Sequence, residues 1–281
     1  MERLFIKVTR ELLPKVRDKY PFLYLERGRL EVDDSSIKWI SSEGEIVRLP
    51  VATLNCLLLG PGTSVTHAAV KVSASANCSL CWVGEDSLLF YASGHIPTAS
   101  TSNLKKQIAL AANKSKSLSI ARKMFNQRFP EDDVETKTLA QLMGMEWKRV
   151  KDTYERKGSQ YGVGWKGRRF TPGKFEFGDL TNRILTSLNS YLYGICCSTI
   201  HSLGLSPHVG FIHSGSPLPF VYDITDLYKE ELCIDLAFSL TLSLAGKYDK
   251  EVVLYNFKNR VIEMDLLKKM TSDIIKLLEL K

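Results

Sequence analysis

Residues 207–229, PHVGFIHSGSPLPFVYDITDLYK, hold two histidines (His208, His213) and two carboxylates (Asp223, Asp226) among glycines, prolines and apolar side chains. The two aspartates are three apart, so a helix beginning near Tyr222 would project both from one face of its first turn. The positive end of a helix dipole stabilises carboxylates at that place, which would account for them with no chemistry at all. Either histidine can equally be a satisfied loop residue. Glu146 is a third element, set between Met145 and Trp147 and followed by Lys148, Arg149 and Lys151. A carboxylate in so apolar a neighbourhood is costly to bury unless it is paired or bound to a metal. Exposed, it would form ordinary i,i+3 or i,i+4 pairs with Arg149 or Lys151. Periodicity alone leaves both readings open.

Competing chemistries are poorly represented. There is no Ser-His-Asp ordering and no Walker loop, so nucleoside triphosphate use is not indicated. Cys78 and Cys81 have CxxC spacing, but no second CxxC or HxxxH completes a zinc site. The six cysteines read as small buried hydrophobes in a reducing compartment. No apolar run is long enough to span a membrane, and the charged N-terminus, MERLFIKVTRELLPK, lacks a signal-peptide core. A cytoplasmic protein is expected.

The elements that must position these residues change character along the chain. From Phe22 to Gly94, short alternating runs broken by turn residues predict a β-rich region of roughly seven strands, with a helical interlude at SVTHAAVKVSASA. A bend is expected at Arg27-Gly28. The segment from Gly94 to Ser102 reads as a linker, with Ser102 as helix N-cap. Beyond it the period is helical. One amphipathic helix is expected through Leu104, Ala112, Leu118 and Phe125. Others are expected over Thr138–Lys157, Leu180–Leu203, Ile224–Leu244 and Val261–Leu280. The expected fold class is α+β: a β-rich domain at 1–94, a linker at 95–102 and an all-α-helical catalytic domain at 103–281.

The formal net charge of +7 is unevenly spread. Residues 101–190 carry 18 Lys+Arg against 9 Asp+Glu, while 1–100 balance at 11 each and 191–281 carry 9 against 11. The positive surplus therefore lies in the middle third. It suits an acidic partner such as nucleic acid, or simply a solvated helix face.

Specific residues add a resemblance. Gly144-Met145-Glu146, Gln160-Tyr161-Gly162-Val163, Trp165 to Arg169, Leu192-Tyr193-Gly194, Gly210 to His213 and Phe220 to Asp226 resemble the CRISPR adaptation integrase family. Pro61-Gly62-Thr63, Thr66 to Val70 and Trp82 to Glu85 extend the likeness into the first region. It covers roughly residues 20–230 and is nearest the subtype I-E form. It implies a homodimer whose β-rich domain mediates dimerisation and DNA-end contacts, working with the second, small CRISPR-associated adaptation protein. The implied substrates are a DNA duplex with single-stranded 3′ ends and CRISPR repeat DNA, joined when a 3′-hydroxyl attacks a phosphodiester.

The same resemblance places a divalent ion on Glu146, His213 and Asp226, with Asp223 a further catalytic aspartate. Two carboxylates and an imidazole form a mixed site that suits Mg²⁺ or Mn²⁺ better than structural zinc. A cation there would stabilise charge gathering on an attacked phosphodiester. Arg27, Lys71, Arg122, Arg128, Arg149, Arg168 and Arg169 are the expected DNA-binding residues. Tyr161, Trp165 and Phe170 are either stacking platforms for unpaired bases or core residues under a basic face. Arg27 stands just before the glycine of the first hairpin, where relatives carry a tyrosine wedge, and Ser64, Lys71 and Ser216 also depart from relatives. Three readings follow: an integrase, a stand-alone metal nuclease for branched or repair DNA, and a non-catalytic DNA-binding protein.

Overall fold

The computed structural model describes residues 13–34, 36–84, 90–94, 100–169 and 175–280. Its first part holds β1 (Tyr20–Leu25), β2 (Gly28–Asp33), β3 (Ser36–Ser41), β4 (Ile46–Leu49), β5 (Leu54–Leu59), β6 (Thr63–Val65), α1 (His67–Ser75), β7 (Ser79–Trp82) and β8 (Ala92–Gly94). They form two four-stranded sheets, ordered β1-β5-β7-β8 and β4-β3-β2-β6. β5 lies between parallel neighbours β1 and β7 and is buried along its whole length. That is why LNCLLL is nearly continuously apolar, where a one-sided strand would alternate. Cys56 and Leu58 join the helical core, while Leu57 and Leu59 meet Leu30, Ile37 and Trp39 of the second sheet.

The helical part follows: α2 (Ser102–Ala112), α3 (Lys114–Arg128), α4 (Leu139–Tyr161), α5 (Leu180–Ser202), α6 (Pro219–Thr225), α7 (Asp235–Ser243), α8 (Lys250–Glu263) and α9 (Leu266–Leu277). α5 is buried almost throughout and is the axle of the helices. It lies on the first sheet at Gly194, where an added Cβ would come within 2.5 Å of Leu58 Cδ2. Strands and helices thus share one apolar cluster across β5 and α5. Lys19 is buried and donates to the carbonyls of Leu54, Ala76 and Asn77, tying the segment before β1 to the sheet.

Several expected elements differ in detail. Arg27-Gly28 is no hairpin: the chain passes there from one sheet to the other, and Arg27 takes a left-handed φ of 53°. The helix expected through 104–125 breaks at Asn113, whose side chain caps α3 through the Lys116 N–H. Ser102 is the first residue of α2, not its cap, and Thr101 before it makes no side-chain cap bond. The Ile224–Leu244 span divides into the end of α6, a π-helical turn at Glu230–Ile234 and α7. Val261–Leu280 splits between α8 and α9, because Asp265 turns left-handed at φ 46°. All six cysteines are free and buried. Among the described residues no helix is long and apolar enough to cross a membrane.

Candidate active site

α4 starts at a capping box in which Thr138 and Gln141 satisfy each other's backbone N–H groups. Its residues Met143, Glu146, Trp147, Val150 and Tyr154 recur at helical spacing and line one wall of a cleft of about 1120 Å³. His213 and Asp226 line the same cleft, with Arg128, Tyr193 and Lys229. Two stretches far apart in sequence, α4 and residues 213–226, therefore bring Glu146, His213 and Asp226 to one place.

Asp223 works behind that surface. Its side chain is fully buried, and its carboxylate accepts backbone N–H bonds from Phe211 (2.6 Å), Ile212 (3.2 Å) and His213 (3.0 Å). It also takes the His213 Nδ1 at 2.8 Å. A carboxylate on Nδ1 assigns a proton to that nitrogen, so in the neutral ring Nε2 carries the lone pair; Nε2 is turned toward Asp226 Oδ2 at 3.8 Å. The Asp223 bond raises the His213 pKa against the opposing effect of burial, and Asp226 adds to the rise. Gly210 is required beside this cradle. A Cβ there would stand 2.7 Å from Pro219 Cβ and 2.9 Å from Asp223 Oδ2.

Asp226 is not at a helix start. α6 begins at Pro219, so Asp226 is its C-terminal cap and faces the negative end of the dipole. The dipole explanation for the paired acids therefore fails. Burial pushes the Asp226 pKa up, but Lys229 and Arg128 outweigh it and hold the group below its usual value. Lys229 Nζ is 2.7 Å from Asp226 Oδ1, and the aspartate holds the lysine pKa up against burial. Arg128 reaches Glu146 Oε1 directly and comes to 4.0 Å from Asp226 Oδ2, so one guanidinium sits between the two carboxylates. Glu146 thus pairs with neither Arg149, which binds Asp132, nor Lys151, which binds Glu155. Among the described residues, no three His, Cys, Asp or Glu side chains form a ready cluster of metal ligands.

The family model for CRISPR associated protein Cas1 matches residues 127–251, the stretch that holds all four of these residues. The CRISPR-associated endonuclease Cas1 2 of Chlorobaculum tepidum is 62% identical over 272 residues, covering 97% of this chain and 92% of that protein. This chain belongs to the Cas1 family of CRISPR-associated endonucleases. The crystal structure of TtCas1 superposes with a TM-score of 0.83 at 34% identity, covering 94% of this chain and 98% of that one. The structure of a TtCas1-DNA complex matches with a TM-score of 0.67 at 38% identity, covering 95% and 99%.

In this Cas1-family chain the expected DNA-binding residues are dispersed. Arg128 and Arg168 line the cleft. Arg168 is bonded to Asn182 and Thr186, fastening the 163–169 loop to α5, while Arg169 donates its backbone N–H to Asn182 Oδ1 and exposes its side chain. Arg122 donates to the Lys137 carbonyl. Arg149 pairs with Asp132. Arg27 and Lys71 are exposed on the strand-rich half. Trp165 stacks on Tyr154 at 4.6 Å and meets Phe238 edge-on, so it is a core residue. Tyr161 donates to Asp235, and Phe170 lies outside the described residues. His208 is held by the Pro217 carbonyl. Lys229 was missed in the sequence, although its i,i+3 spacing from Asp226 was the available signal.

Proposed function

We propose that the chain is a divalent-metal-dependent DNA integrase and endonuclease, which joins the 3′-hydroxyl ends of prespacer DNA to a CRISPR array. The observation that carries this reading is the convergence of Glu146, His213 and Asp226 on one cleft, with Asp223 holding the imidazole from behind. The donor set fits a Mg²⁺ or Mn²⁺ ion. A cationic group, the Arg128 guanidinium, already lies between the two carboxylates. Glu146, His213 Nε2 and Asp226 would hold the ion once Arg128 turns aside. Bound there, it supplies charge stabilisation to the non-bridging oxygens of the attacked phosphodiester. Lys229 and Arg128 keep Asp226 ionised, and Asp223 keeps the coordinating nitrogen of His213 directed into the cleft.

The partners follow the same reading: a homodimer, the small second adaptation protein, prespacer duplex with single-stranded 3′ ends, and repeat DNA, in the cytoplasm. The motifs quoted above support a subtype I-E-like form, and the match to a TtCas1-DNA complex supports DNA as the ligand.

Strand transfer with purified protein, a 3′-hydroxyl duplex, a CRISPR plasmid and Mn²⁺ tests the proposal. Joined product is expected, and none with a 3′-deoxy duplex. Cleavage of branched DNA with no joining under any condition would replace the integrase with a stand-alone nuclease.

A further inference from the structure

Trp147 belongs to neither apolar core. Of the four tryptophans, Trp39 and Trp82 lie in or against the cluster between the sheets, and Trp165 packs against the helical core. Trp147 is 71% exposed, on the cleft-facing stripe of α4, directly beside Glu146 and one turn beyond the exposed Met143. An indole left in water is unusual unless something covers it. Its surroundings are cationic. Lys151 Nζ lies over one face of the ring, 5.8 Å from its centroid, and Lys148, next in sequence, is exposed.

An exposed indole in the lining of a carboxylate-bearing cleft, with an ammonium group over one face, matches one nucleotide: the base on the opposite face, the phosphate on the lysine. A paired duplex offers no free base face, so the occupant is unpaired. We infer that Trp147 is a positioning residue on which an unpaired base of the DNA strand entering the cleft stacks, next to the phosphodiester handled at Glu146. This rests on the proposed function.

The test compares binding of a duplex carrying single-stranded 3′ ends with a blunt duplex, for wild type, Trp147→Ala and Trp147→Phe, at fixed salt in EDTA. Trp147→Ala should weaken the 3′-extended duplex roughly 5- to 150-fold, the range for one lost base stack. The blunt duplex should be unaffected, and Trp147→Phe should restore most of the loss. Replacing extension nucleotides one at a time with abasic ones should find a position that costs the wild type as much and costs Trp147→Ala nothing more. Equal losses on both duplexes, no loss at all, or an abasic effect that simply adds to the variant's would overturn the inference. So would dissociation of the protein's oligomer in Trp147→Ala, which would make the ring a protein contact. A wild type that binds neither duplex would instead sink the DNA reading itself, so the two failures are distinguishable.

Discussion

Asp223 and Asp226 are three residues apart and do different work. Asp226 presents its carboxylate to the cleft, while Asp223 spends its oxygens on three backbone N–H groups and an imidazole. Asp226→Asn should therefore lose Mn²⁺ binding with the loop intact. Asp223→Asn places an amide N–H₂ against donors. It should destabilise the protein by about 1–3 kcal/mol and weaken Mn²⁺ about 10- to 100-fold through the loosened His213. Thermal unfolding and calorimetric titration of both variants check this; an Asp223→Asn protein of wild-type stability with no metal binding would reverse the assignment. Glu146→Ala, His213→Ala and Asp226→Ala should each abolish strand transfer yet leave DNA binding, read by gel shift. The motifs singled out these four residues as candidates in the sequence. The Asp223 cradle was not, because it forms only when residues 211–213 fold back over α6.

At the scale of elements, apolar period carried most of the fold. The central strand β5 and the helices α4 and α5 lie where their patterns put them, since each has one long uninterrupted reason to be buried or amphipathic. Two of the missed boundaries share a cause: the breaks at Asn113 and Asp265 use a polar residue in place of glycine or proline, so no strong punctuation marks them. Pairing between elements was equally hidden. Lys250 on α8 meets Glu26 beyond β1, with Tyr24 donating to the same carboxylate. Burial pushes the Glu26 pKa up, but the Lys250 and Tyr24 bonds outweigh it and leave it below the ordinary value. A carboxyl depressed in the folded state stabilises above its unfolded pKa and loses that contribution as pH falls through the folded one. Wild type should thus lose stability on acidification below the ordinary glutamate range near 4.3, more steeply than Lys250→Met. Chemical denaturation between neutral and acid pH measures it, and parallel curves for the two proteins would remove the pair from the account.

For the whole molecule, the uneven charge is the feature that composition alone exposed and the structure redistributed. Of the cations in residues 101–190, Arg122, Arg149 and Arg168 are committed to protein acceptors, so their sequence clustering overstates the positive surface offered to a ligand. Lys148, Lys151 and Arg169 are exposed on α4 and on the loop fastened to α5, Lys151 in a loose pair with Glu155 at 3.8 Å. If these carry the DNA, affinity should fall linearly with salt on logarithmic axes as they release counterions from phosphate. Lys148→Ala with Lys151→Ala should flatten that slope by about 1.4–1.8 units, because each phosphate contact contributes about 0.7–0.9. Arg168→Ala should act differently: freeing Asn182 and Thr186 loosens the 163–169 loop, lowering thermal stability with little change in slope. Titrations of one duplex across a salt series, with melting curves for each variant, separate the two effects. A flattened slope in Arg168→Ala at unchanged stability would return that arginine to the DNA surface.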